Sequence, residues 1–131
     1  MQAMGATVLA AASIAPAFAA DLLILHRIEP GLWDIRPKDT RDGGRTMCVA
    51  DPAVLLSLGH PGQSCSRFAI SNEANQAVVH YTCSGTGSGQ TSLRVETPRL
   101  LQIETQGILR QTPFQMGFEA RRLGTCTSPA R

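Results

Sequence analysis

From residue 93 onward, apolar and polar side chains alternate one for one. Leu93 and Val95 alternate with Arg94 and Glu96; Leu101, Ile103 and Thr105 with Gln102, Glu104 and Gln106; Phe114, Met116, Phe118 and Ala120 with Gln115, Gly117, Glu119 and Arg121. A period of two turns one set of side chains to a core and the other to water, the pattern of antiparallel strands with one wet face. Breakers separate the runs: Pro98 between the first two, and Gln111-Thr112-Pro113 between the last two. Earlier, Trp33 and Ile35 alternate with Leu32 and Asp34, Met47 and Val49 follow, and residues 66–71 and 77–82 flank Asn72-Glu-Ala-Asn75 as a hairpin. The chain therefore predicts about seven strands in hairpin order, a usual size for one sheet.

One segment leaves the period of two. Asp51 and Pro52 supply an N-cap and a first-turn proline ahead of Ala53-Val-Leu-Leu-Ser-Leu58, and Gly59 with Pro61 stops the run. This predicts one short helix of about two turns, with Val54, Leu55 and Leu58 covering one end or face of the sheet. The expected fold class is mainly β: a curved antiparallel sheet or open barrel of about seven strands with one short helix.

The first 20 residues carry no charged side chain and contain Ala17-Phe18-Ala19, the small-x-small pattern that signal peptidase accepts. They predict a signal peptide over residues 1–19, cleaved after Ala19, and a single disulfide-bonded β domain over residues 20–131. No Lys or Arg precedes the apolar stretch, which departs from the usual signal. Asp21 interrupts the apolar run before it reaches the roughly 20 residues a membrane span needs, so no span is expected after cleavage. The expected location is periplasmic. Twelve Lys and Arg against ten Asp and Glu leave a net charge of +2, spread along the chain. With only Arg121-Arg122 as a basic cluster, no nucleic-acid partner is expected.

Four cysteines, Cys48, Cys65, Cys83 and Cys126, fit an exported domain of this size, where disulfides persist and a small core gains most from them. Four cysteines allow three connectivities. The hairpin register that sets Cys65 opposite Cys83 also sets Arg67 opposite Tyr81, and directly opposed residues lie close enough to bridge. That leaves Cys48 to pair with Cys126 across most of the domain. A zinc site is the rival reading, but no two cysteines have C-x2-C spacing and no histidine stands in ligand spacing to one.

Candidate chemistry is sparse. Ser84-Gly-Thr-Gly-Ser-Gly89 resembles a phosphate loop in composition, yet a strand-like Gln90-Thr-Ser-Leu-Arg-Val-Glu96 follows it where a helix N-terminus is required, so a hairpin connection or bulge is expected. His26, His60 and His80 lie in three different settings, and no Gly-x-Ser-x-Gly nucleophile elbow accompanies them. Trp33 shares a face with Ile35 and is expected in the core. Arg121 and Arg122 point to opposite faces of a regular strand, so one is directed inward or at a rim, where an acid such as Asp34 is its expected partner. The acids are dispersed, without the paired carboxylates of glycoside chemistry. No catalytic, cofactor-binding or metal residue is expected.

Several of these residues together resemble a known family. Glu29-Pro-Gly-Leu-Trp33-Asp34, Cys48 ahead of a capped helix, Cys65 and Cys83 bracketing a hairpin, Gly85 after Cys83, and Ala120-Arg-Arg-Leu-Gly-Thr-Cys126 are similar to the bacterial envelope family called domain of unknown function 3617. Asp34 stands where that family commonly has Glu, and Ala120 where it has Gly. The resemblance implies a periplasmic disulfide-bonded domain and brings no catalytic residues with it.

The expected function is that of a non-enzymatic envelope protein. Its ligand would be an apolar small molecule on the concave side of the sheet, or an envelope macromolecule at a sheet edge. A second expectation is an inhibitor of a cell-wall-degrading enzyme, because Tyr81-Thr-Cys83-Ser-Gly85 is loosely similar to a motif of lysozyme inhibitors. A hydrolase ranks third.

Overall fold

The alternating runs become strands because only a pleated chain can send every second residue into one core. The structure is a computed structural model describing residues 21–126, so the expected signal peptide lies outside the described residues. Seven strands form: β1 (Gly31–Pro37), β2 (Arg45–Val49), β3 (Cys65–Asn72), β4 (Gln76–Cys83), β5 (Gly87–Thr97), β6 (Leu100–Leu109) and β7 (Thr112–Gly124). They make one antiparallel sheet in the order β2-β1-β7-β6-β5-β4-β3. β2 and β3 are its two edges, so the sheet stays open.

Turn chemistry sets the registers. β6 and β7 are joined by Arg110 and Gln111 alone, both with positive φ, at 48° and 69°. Two such residues give the mirror-image turn whose twist suits a tight hairpin. The break expected at 111–113 thus falls earlier, and Pro113 is already inside β7, opposite Ile108. A proline is tolerated there because β1 pairs with β7 only from Phe118 onward, leaving one side of Pro113 without a strand neighbour. On the other hairpin, β3 runs on through Asn72, which the sequence placed in the turn. The Asn72 amide accepts from the Leu23 N–H at 2.9 Å and donates to the Asp21 carbonyl at 2.9 Å.

The predicted helix is a 3-10 segment, Pro52–Ser57, and no α-helix forms among the described residues. Asp51 caps it as expected, accepting from the Ala53 N–H at 3.0 Å, with Pro52 in the first turn. Six residues before Gly59 are too few for a stable α-helix, and the tighter winding changes which side chains face in. Leu55 and Leu56 are buried, while Val54, expected inside, is exposed. A second 3-10 segment, Leu23–Arg27, was not expected and buries Ile24.

Both 3-10 segments pack against β5 on the inner face of the sheet. There Leu22, Ile24, Ile28, Leu55 and Leu56 join Trp33, Leu93, Leu101 and Ile103 in one continuous core. The chain fills its own concavity. Cys65 is bridged to Cys83, tying edge strand β3 to β4, and Cys48 to Cys126, tying edge strand β2 to the end of β7.

Candidate functional site

The three histidines occupy separate environments. His26 is exposed beside the Asp21 carboxylate at 2.7 Å. His80 lies on the outer face with its ring centroid 5.3 Å from that of Phe68. His60 is buried, with Nδ1 2.8 Å from the Tyr81 hydroxyl and Nε2 3.0 Å from the Ile108 carbonyl. A carbonyl can only accept, so Nε2 carries a proton and donates it; in the neutral ring the Tyr81 hydroxyl then donates to Nδ1. Burial pushes the Tyr81 phenol above its ordinary value of 10.0, opposed by the neighbouring Thr105 hydroxyl. Among the described residues no serine or carboxylate bonds to this pair, which fastens the loop after the 3-10 segment to β4 and β6. Thr91 works alongside, donating to the Leu56 carbonyl at 2.7 Å and standing 2.9 Å from Thr105 Oγ1.

The glycine-rich stretch is a turn at Ser84–Thr86 running into β5. Gly89, in that strand, is required by space: a Cβ would collide with the Tyr81 ring. Tyr81 and Cys83 are both buried, leaving Thr82, Ser84 and Gly85 as the exposed part of the segment loosely similar to lysozyme inhibitors. Among the described residues no group of three or more His, Cys, Asp or Glu side chains could hold a metal ion.

The two ends of the chain's characteristic pattern meet in space. Arg122 Nε donates to the Pro30 carbonyl at 2.9 Å, and Trp33 Nε1 donates to the Glu29 carbonyl at 3.0 Å. A side chain at Gly31 would run into Gly124 and Arg122. Arg122 is thus the rim-directed arginine of the pair, but its acid is Glu29, at 3.7 Å, rather than Asp34, which pairs with Arg36. Arg99 also bonds Glu29, at 3.0 Å, and this bond, helped by Arg122, holds the Glu29 carboxyl below the usual carboxylate range. These residues tie the segment before β1 to the end of β7.

The outer face holds a feature the sequence reading missed. Phe68 on β3 faces His80 on β4, His80 faces Gln90 on β5, Gln90 faces Gln106 on β6, and Gln106 faces Gln115 on β7. One row of outward side chains therefore crosses five adjacent strands, about 19 Å at the usual spacing of about 4.8 Å. Phe68 is 62% exposed. Gln90, Gln106 and Gln115, with Ser92 and Glu104, line a shallow depression of about 140 Å³. Lys38 pairs with Glu104 at 2.8 Å on its flank. The signal for the row was present as outward positions of a period-two pattern, but only the turn at Arg110-Gln111 sets Gln106 opposite Gln115.

Fold and bridges define a class: an open, seven-stranded antiparallel sheet wrapped over its own 3-10 segments and stapled at both edges by disulfides. Residues 28–126 match the model of the family described as protein of unknown function (DUF3617), and the chain belongs to that family. No curated protein and no solved structure matches it.

Proposed function

We propose that this is a non-enzymatic protein exported to the bacterial periplasm, and that it binds an envelope macromolecule through the outer surface of its sheet. The observation that supports this reading is the division between the two faces. The inner face, where an apolar ligand would otherwise sit, is occupied by Ile24, Ile28, Leu55 and Leu56. The outer side carries exposed Phe68 and Ile70 and a broad row of polar side chains. Two disulfides fit an oxidising compartment, and the Ala17-Phe18-Ala19 site fits export. No helix among the described residues is long and apolar enough to cross a membrane.

The test is site-specific photo-crosslinking in living cells from Ser92, on the outer face, and from Arg45, on the opposite edge strand β2. The expected result is a discrete adduct from Ser92 and none from Arg45. Adducts from Arg45 alone, or from neither position, contradict the reading.

A further inference from the structure

The row Phe68–His80–Gln90–Gln106–Gln115 is unusual for a wet sheet face, which normally mixes charges of both signs. No Lys, Arg, Asp or Glu stands in it. The neighbouring row on one side is similar, with Ser66, Thr82, Ser88 and Ile108 in register. Each glutamine amide offers two N–H donors and a carbonyl acceptor from one planar group. Among the described residues, none of the three amides makes a side-chain hydrogen bond to the protein, whereas Gln102 is committed to Glu119. Three uncommitted amides thus stand on three consecutive strands, about 4.8 Å apart.

The geometry points to this row as a binding site for a neutral glycan chain lying across the strands; the inference rests on the outer-surface reading above and names its ligand class. Paired donors and acceptors match the adjacent hydroxyls around the rim of a sugar ring, while the ring's C–H faces are apolar and stack on an aromatic side chain. The row supplies both, with amides at one end and the exposed Phe68 ring beside His80 at the other. An anionic ligand is disfavoured, because Glu104 borders the depression, no cationic side chain lines it among the described residues, and Lys38 is engaged by Glu104. An added protein strand would run along β3 and leave the amides on β5, β6 and β7 unused.

The full chain, labelled with nitrogen-15, is titrated with chitotetraose and, separately, with cellotetraose. The two sugars distinguish a cell-wall-type amino-sugar chain from a plain hydroxylated one. Saturable shifts of the Gln90, Gln106 and Gln115 side-chain amide signals are expected, with dissociation constants in the millimolar range or below. Gln106→Ala with Gln115→Ala weakens binding at least tenfold, and Phe68→Ala weakens it as well. The urea midpoint of the glutamine variant stays unchanged, which separates lost binding from lost folding. No shift with either sugar, or shifts confined to other surfaces, overturns the glycan assignment. If Ser92 still cross-links to a protein, the outer-surface reading survives that failure; if Ser92 gives no adduct, both fall.

Discussion

His60 Nδ1 and the Tyr81 hydroxyl stand 2.8 Å apart in the buried end of the sheet, joining a loop to a strand 21 residues away. Removing the hydroxyl leaves Nδ1 without its donor. Tyr81→Phe is therefore expected to lower stability by about 1–3 kcal/mol, the usual penalty for an unsatisfied buried polar group, read as a shifted urea midpoint at constant slope. The same pair gives an alkaline signature. A phenol raised above 10.0 by burial contributes stability that is complete below that value and is lost as pH rises through the folded-state value. Unfolding curves between neutral and strongly alkaline pH should show that loss in the wild type and lack it in Tyr81→Phe.

Gly89 tests the packing behind that pair. Gly89→Ala forces a methyl group into the Tyr81 ring and should cost about 1–3 kcal/mol, the range for overpacking a filled core. Gly85→Ala is the control: its φ of +78° imposes backbone strain, but nothing lies within 4 Å of the added methyl. Thermal unfolding of the two variants should differ in its near-ultraviolet tyrosine signal, perturbed only by the change at position 89.

The acid limb of the stability profile should depend on Glu29. Hydrogen bonding by Arg99, then the charge of Arg122, lowers its folded-state pKa. Its contribution is therefore present above the ordinary carboxylate value and lost as pH falls through the folded-state value. Glu119, lowered chiefly by Gln102 and then by Arg121, behaves the same way. Glu29→Gln should flatten the decline in unfolding midpoint below about pH 5 while leaving the alkaline limb unchanged.

The two bridges close loops of different length, with sequence separations of 78 and 18. In the chain-entropy account, replacing Cys48 and Cys126 by serine should cost about 1 kcal/mol more than replacing Cys65 and Cys83. Paired denaturation curves of the two double variants, each retaining the other bridge, read the difference directly.

Much of this fold is legible in the chain because alternation is a strong signal. Leu93, Val95, Leu101, Ile103 and Ala120 all face the core as the period requires. The register that opposes Cys65 and Cys83 also sets Arg67 opposite Tyr81, as the pairing of the two cysteines requires. Three features resisted. The apolar run at Leu22-Leu-Ile-Leu25 has no period of its own, and its 3-10 form is set by packing on β5. The Arg110-Gln111 turn carries neither glycine nor asparagine, the usual marks of positive φ, so Pro113 looked like the breaker. The bulges between Val95 and Thr97 and between Ala69 and Ser71 shift register without leaving a residue signature. Since the outer row exists only once those registers are fixed, the candidate site was the least readable part of the chain.

The division between a filled interior and a binding exterior is tested most directly by native mass spectrometry of the protein purified from the periplasm. A species with the mass of residues 20–131, two disulfides and no retained apolar molecule is the predicted result. A stoichiometric apolar adduct, held in the folded protein and released on unfolding, would contradict it, because the space that adduct needs is taken by Ile24, Ile28, Leu55 and Leu56.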